Sequence, residues 1–166
     1  AARVVSVTSF ARMFGRAVDP QNPHLRGAYS PWRAYNQAKL ANALFAVELH
    51  RRLAATGASV RSLLADPGLS HTELQDRSVA DAGGLSQRFW RFAARAAGMP
   101  PGRAAHSQLR AATDPGARGG EFYGPMWTSF GPPVRRPLLG RSRDRDAARV
   151  LWEVSERETG ERFDIR

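Results

Sequence analysis

Ser30-Pro31-Trp32-Arg33-Ala34-Tyr35-Asn36-Gln37-Ala38-Lys39-Leu40-Ala41-Asn42-Ala43-Leu44-Phe45-Ala46-Val47-Glu48-Leu49 is the stretch that decides the fold. Ser30 followed by Pro31 opens a helix, because serine is a favoured N-cap and proline fits the first helical position, where the backbone N–H has no partner anyway. From there Ala34, Ala38, Leu40, Ala41, Leu44, Phe45, Val47 and Leu49 make the segment apolar nearly all round in its middle, as in a helix buried on more than one side. Thr56-Gly57 ends it, with glycine as a left-handed cap. The pattern predicts a helix over 31–56.

Two strand-like segments flank that helix. Arg3-Val4-Val5-Ser6-Val7-Thr8 is short and β-branched, and Ala58 to Ala65 reads as a second strand. A strand, a long helix and a strand form a βαβ unit, parallel and right-handed. Residues 11–30 read as a polar loop bearing Gly and Pro. Leu85, Phe89, Phe92 and Ala96 recur at helical spacing until Gly98-Met99-Pro100-Pro101. A shorter helix over 102–113 ends at Asp114-Pro115-Gly116, and Glu121-Phe122-Tyr123 is a candidate third strand. A Pro-rich loop spans 125–140, and a last helix, 143–158, carries Ala147, Val150, Leu151 and Val154 and stops at Gly160. No internal repeat interrupts this order.

Composition narrows the function classes. The chain has 166 residues, 42% of them hydrophobic, enough to bury a core, and no cysteine, which excludes a disulfide scaffold and thiolate metal sites. No apolar run reaches the ~18 residues of a membrane span, and no secretory leader is apparent, so the expected location is the cytoplasm. The four histidines form no ligand spacing, so no metal is expected. The formal net charge of +10 invites a nucleic-acid reading. The basic residues are scattered, however, and no zinc-finger, basic-zipper or RNA-binding motif appears, so solvated basic faces are preferred. Of the 25 basic Lys and Arg side chains, one, Lys39, is lysine. A compact ammonium does work that a guanidinium does poorly.

In a parallel α/β sheet, ligands bind beyond the carboxyl ends of the strands. Thr8-Ser9 follows the first strand, and Asp66-Pro67-Gly68-Leu69-Ser70-His71-Thr72 follows the second. The helix between them starts at the same edge, and the spacing of four puts Tyr35 and Lys39 on one face of its first turns. One crevice therefore collects a serine hydroxyl, a phenol, an ammonium and a Pro-Gly loop. An ammonium beside a phenol favours the phenolate, and a serine hydroxyl can donate to a developing oxyanion. The set suits proton transfer at a carbonyl oxygen. Its natural companion is hydride transfer, which needs a nicotinamide because no side chain supplies hydride.

These residues resemble a family. Ser9, Tyr35-Asn36-Gln37-Ala38-Lys39 and Pro67-Gly68-Leu69-Ser70-His71-Thr72 look like the signature of the short-chain dehydrogenases/reductases. Ala34 to Asn42 is similar to the retinol-dehydrogenase-like and protochlorophyllide-reductase-like branch. So are the long stretch between Ser9 and Tyr35, Gly120-Glu121-Phe122-Tyr123-Gly124-Pro125, and Leu151-Trp152-Glu153-Val154-Ser155-Glu156. The resemblance implies an α/β, Rossmann-like, doubly wound parallel sheet. It implies that Ser9 polarises the substrate carbonyl, that Tyr35 is the general acid or base, and that Lys39 eases proton movement at Tyr35 and bonds the nicotinamide ribose. Pro67, Gly68, Leu69 and Thr72 would hold the nicotinamide end of NADP or NAD, NADP being slightly preferred. Residues 73–100 would form the substrate side, Phe89 and Phe92 lining it for a small lipophilic carbonyl or alcohol. Thr8, where Ser is frequent, and Asp66, where Asn or His is common, depart from the pattern.

The family's Gly-rich cofactor turn has no counterpart among these residues, and neither does its Asn-Ala-Gly segment: the first strand matches the family's fifth. Four preceding βα units of ~30 residues would add ~120 residues, so residues 1–166 read as one partial domain, the catalytic part of a dinucleotide-binding fold whose N-terminal half is absent. Two readings stay open: an oxidoreductase, or a non-enzymatic remnant or interaction module derived from one. A sheet cut at that strand would leave an open edge and uncovered helix faces, Leu44 and Val47 among them, which predicts self-association, and a homo-oligomer is one outcome.

Overall fold

A computed structural model describes residues 2–27, 29–69 and 99–164. Strand β1 (Arg3–Val7) leads through a 3-10 helix (Phe10–Phe14) and a loop into helix α1 (Pro31–Ala55), which returns to strand β2 (Arg61–Ala65). Helices α2 (Pro101–Ala104) and α3 (His106–Thr113) precede strands β3 (Phe122–Pro125) and β4 (Pro133–Arg136). A second 3-10 helix (Gly140–Arg143) then leads into α4 (Arg145–Thr159). The sheet runs β1-β2-β3-β4. β1 and β2 pair in parallel from Arg3↔Arg61 to Val7↔Ala65, and β2 and β3 are parallel through Leu64↔Phe122 and Ala65↔Tyr123.

The sheet is covered on both faces, and the alternation of side chains shows how. Leu63, Ala65 and Tyr123 pack with Ala111 and Ala117 on the α3 side, joined by Val5. Leu64 and Phe122 point the other way and pack on Ala43 and Ala46 of α1. β2 and β3 therefore read as continuous apolar runs, because both faces are buried. Ser62, the polar break in β2, is satisfied by donating to the Ala46 carbonyl at 2.9 Å. On its outer side α1 packs Leu40 and Leu44 against Ala148 and Leu151 of α4, and lower down Leu49 and Leu53 meet Trp152. α4 presents that stripe at 148, 151 and 152, is capped by Asp144 accepting from the Ala147 N–H at 2.9 Å, and ends at Gly160 with φ 72°.

The α/β, doubly wound class holds, with corrections of detail. The sheet is mixed, since β4 runs antiparallel to β3 from Phe122↔Arg136 to Pro125↔Pro133. That strand lies inside the expected Pro-rich loop. Proline is tolerated there because β4 is an edge strand whose outward N–H groups need no partner. The 11–30 loop contains the first 3-10 helix, and the expected 102–113 helix is two helices broken at Ala105. Ser30 occupies the N-cap of α1 without a side-chain capping bond. Leu44 belongs to no uncovered face: it is 1% exposed, under α4, and Val47 is half-buried. Val4 and Val7 of β1 and Phe45 of α1 are among the exposed apolar groups instead, Phe45 being stacked on Trp152 at 5.6 Å. The helix expected around residues 85–96 lies outside the described residues.

Much of the arginine excess acts as staples. Arg3 donates to the Ala111 and Asp114 carbonyls, Arg61 to Ala117, Arg141 to Gly15 and Arg157 to Pro20. Each ties a loop or helix end to a segment far away in sequence. Glu121 anchors another cluster. Burial opposes its ionisation. The Arg118 N–H, the Tyr123 hydroxyl at 2.6 Å and the Arg135 guanidinium at 2.9 Å outweigh that and lower its pKa to about 2. Burial, then the bond to Glu121, pushes Tyr123 up to about 12.

A carboxylate whose folded pKa is depressed contributes stability that is complete above its unfolded value, here 4.5, and disappears as pH falls through about 2. Urea unfolding midpoints should therefore decline between those limits. Glu121→Gln should flatten that decline and cost about 1–3 kcal/mol near neutral pH, since it weakens three hydrogen bonds at once.

Candidate active site

The parallel β1–β2 pair puts Thr8-Ser9 and Asp66-Pro67-Gly68-Leu69 side by side at the carboxyl edge of the sheet. The pairing continues one residue past the strands through Thr8 N–H to the Ala65 carbonyl at 2.8 Å. Two bonds then lock α1 to the end of β1. The buried Thr8 hydroxyl donates to the Lys39 carbonyl at 2.7 Å, and Asn42 donates its amide to the Val7 carbonyl at 2.8 Å. The turn of α1 that carries Tyr35 and Lys39 is thereby fixed beside Ser9.

Ser9 is half-buried and serves as N-cap of the first 3-10 helix, its Oγ accepting from the Ala11 N–H at 3.3 Å. Capping uses an oxygen lone pair, so the hydroxyl proton stays free to donate elsewhere. Tyr35 is 39% exposed, edge-on to Trp32 with ring centroids 6.0 Å apart. The Lys39 ammonium lies 5.5 Å from the Tyr35 ring centroid, and among the described residues it forms no ion pair. The close approach of the 3-10 helix to α1 depends on Gly15: a Cβ there would run into the Asn36 carbonyl and lie 2.8 Å from the Leu40 Cβ.

Pro67, Gly68 and Leu69 are half-buried. Gly68 has φ 76°, its N–H bonds the Asp66 Oδ1 at 2.9 Å, and a Cβ would sit 2.6 Å from both Pro125 Cγ and the Ser129 carbonyl. Leu69 N–H donates to Ser129, and Met99 N–H to Leu69, both at 2.8 Å. The loop is thus held against the β3–β4 turn. Thr72, Phe89 and Phe92, with most of the 73–100 substrate side, lie outside the described residues. Ser9, Tyr35, Lys39, Pro67, Gly68 and Leu69 are gathered at one edge. Among the described residues, no helix is long and apolar enough to cross a membrane, and no group of His, Asp and Glu side chains is placed to hold a metal ion.

Sequence reasoning passed over Arg12. It is 5% exposed, and its guanidinium pairs with Asp66 at 3.2 Å and lies 4.6 Å from the Phe122 ring centroid. In an arginine-rich chain nothing distinguishes a buried arginine from a solvated one. The available signal was Asp66, a carboxylate closing an apolar strand, which needs a cationic partner when buried. Burial pushes the Asp66 carboxyl up, opposed by the Gly68 N–H and by Arg12, and burial lowers Arg12.

A mixed sheet covered on both faces, with a serine, a Tyr-x-x-x-Lys turn and a Pro-Gly loop at the carboxyl edge, defines a Rossmann-like scaffold. The chain is similar to members of the short-chain dehydrogenase/reductase family, in its retinol-dehydrogenase-like branch. It is 37% identical over 158 residues to mouse polyprenol dehydrogenase, covering 95% of this chain and 44% of that protein. It is 28% identical over 156 residues to mouse retinol dehydrogenase 14, covering 93% of this chain and 43% of that protein. The crystal structure of an uncharacterised protein from Mycobacterium paratuberculosis superposes with a TM-score of 0.77 at 34% identity, over 99% of this chain and 53% of the other. No family model matches the sequence. The chain spans less than half the length of the two dehydrogenases.

Gly68→Ala would force a Cβ into Pro125 and Ser129 at a backbone angle that glycine alone adopts comfortably. It should cost about 1–3 kcal/mol, read as a lower melting temperature, whereas Gly57→Ala, with φ 68° but nothing within 4 Å, should cost less.

Proposed function

We propose that this chain is the catalytic part of an NAD(P)-dependent oxidoreductase that acts on a small lipophilic carbonyl or alcohol. The observation that carries this is the Lys39 ammonium, free of any ion pair among the described residues, over the Tyr35 ring at the edge shared with Ser9 and the Pro67–Leu69 loop. That donor set fits a nicotinamide ribose: an ammonium with unspent N–H groups can bond ribose hydroxyls, and the half-buried Pro67–Leu69 backbone would flank the ring. Thr72 joins that group by resemblance, and NADP is preferred over NAD on the same ground.

The nicotinamide, when bound, supplies the hydride. In the reductive direction Ser9 donates its hydroxyl proton to the substrate carbonyl oxygen as a hydrogen bond, and Tyr35 transfers its phenolic proton to that oxygen as the carbonyl carbon takes the hydride. Lys39 stabilises the phenolate left behind. Oxidation runs the same transfers in reverse, with Tyr35 as base. This mechanism also needs a nucleotide-binding half, and the reading places the reaction in the cytoplasm.

With decanal and NADPH as probes, Tyr35→Phe and Lys39→Ala in the full-length enzyme should each lower kcat/KM by roughly 10²–10⁴-fold. Retained activity in both would sink the relay. A second reading, an interaction module without catalysis, draws on β1, which carries the exposed Val4 and Val7 and whose outer edge pairs with nothing among the described residues. In a calorimetric titration of the 166-residue chain with NADPH, tight binding favours the enzyme and argues against the module. Light scattering on the same sample should show self-association, and a clean monomer with a cooperative melt would contradict an open edge.

A further inference from the structure

Arg12 and Asp66 connect the two sides of the crevice. Arg12 lies three residues after Ser9, and Asp66 follows β2 directly before Pro67-Gly68. One guanidinium nitrogen, Nη1, donates both to the Ser9 carbonyl at 3.1 Å and to Asp66 Oδ2 at 3.2 Å. The other carboxylate oxygen accepts the Gly68 N–H at 2.9 Å, and the Asp66 N–H is spent on the Tyr123 carbonyl at 2.8 Å. A continuous chain of bonds therefore runs from the backbone of Ser9 through Arg12 and Asp66 to the backbone of Gly68. Both side chains are more than nine-tenths buried, 6% and 2% exposed.

Stability is a poor account of this arrangement. Desolvating two charges costs about as much as their attraction returns, and apolar side chains of similar volume often serve equally well. Here the cost is higher still, because Arg12 Nε is buried with no partner. What an apolar pair would lack is the directional link between two backbones that come from different strands. We propose that Arg12 and Asp66 are positioning residues that hold the Ser9 segment and the Pro67–Leu69 loop at a fixed separation, so that the substrate carbonyl and the nicotinamide ring meet at reacting distance. The inference rests on the oxidoreductase reading above.

The test is the double variant Arg12→Met/Asp66→Asn in the full-length enzyme, with decanal and NADPH. The asparagine retains an oxygen for the Gly68 N–H and the methionine retains the stem, so the turn and the packing survive while the cross-link is lost. With two reacting groups displaced relative to each other, kcat should fall roughly 10–100-fold while KM for NADPH stays within about threefold. The melting temperature should stay near that of the parent. Arg12→Lys, which can make both bonds from one nitrogen, should recover part of kcat. An unchanged kcat, a loss confined to NADPH affinity, or unfolding of the double variant overturns the positioning role. Tyr35→Phe in parallel separates the two ideas. If it is inactive while the double variant is fully active, the positioning role alone fails; if it is active, the Ser9–Tyr35–Lys39 relay fails and the inference with it.

Discussion

The parallel pairing of β1 with β2, enforced by the single crossover of α1, governs everything at the crevice. Parallel strands end on the same edge, so Ser9 and Asp66 are neighbours although 57 positions apart in sequence, and the helix between them has to begin where they end. The hydrogen bonds at that edge then set the depth. Thr8 continues the ladder to Ala65 and turns its hydroxyl onto the Lys39 carbonyl, while Asn42 reaches the Val7 carbonyl. Sliding α1 by one turn would break both bonds and move Tyr35 by about 5 Å along the helix axis. The placement of Tyr35 and Lys39 at this edge is thus fixed by hydrogen bonds between the end of one short strand and one helical turn.

What the sequence made legible follows from how local the forces are. β1, α1 and β2 are written in side-chain period and in Pro31 and Gly57, and they appear almost where expected, as does α4 with its left-handed Gly160. The Tyr35/Lys39 pairing is a consequence of helical spacing. β4 was not legible, because Pro133-Val134-Arg135-Arg136 has no strand pattern of its own and becomes a strand by pairing with the preformed edge of β3. The fate of Leu44 was equally hidden. Whether a helix face is covered depends on where α4 returns more than 100 residues later, which periodicity in α1 does not encode.

The charge changes meaning once the contacts are drawn. A balance of +10 looks like an interaction surface, yet several guanidinium groups are spent on carbonyls of distant loops. A guanidinium has five donors in a rigid fork and can close loop carbonyls that no nearby N–H reaches. Lysine at these positions would hold fewer of them. Lys39 stands apart from these staples: its ammonium lies by the Tyr35 ring, and among the described residues no carboxylate takes it.

Burial separates the two kinds of charge further. Arg51 and Arg52 fork onto Glu48, whose carboxylate is almost wholly buried, but both arginines keep contact with water. Their bonds, the one from Arg51 first, hold the Glu48 carboxyl below its ordinary range. Arg12 and Asp66 keep no such contact, and burial is the largest influence on each. A pair of the first kind can be explained by helix stability, since neighbours at three and four residues attract and the two guanidinium groups stay in contact with water. The second kind cannot, because both groups are buried and one donor goes unmet. Its place is intelligible only through what it joins: the carbonyl of the residue that caps one strand end and the turn that leaves the other.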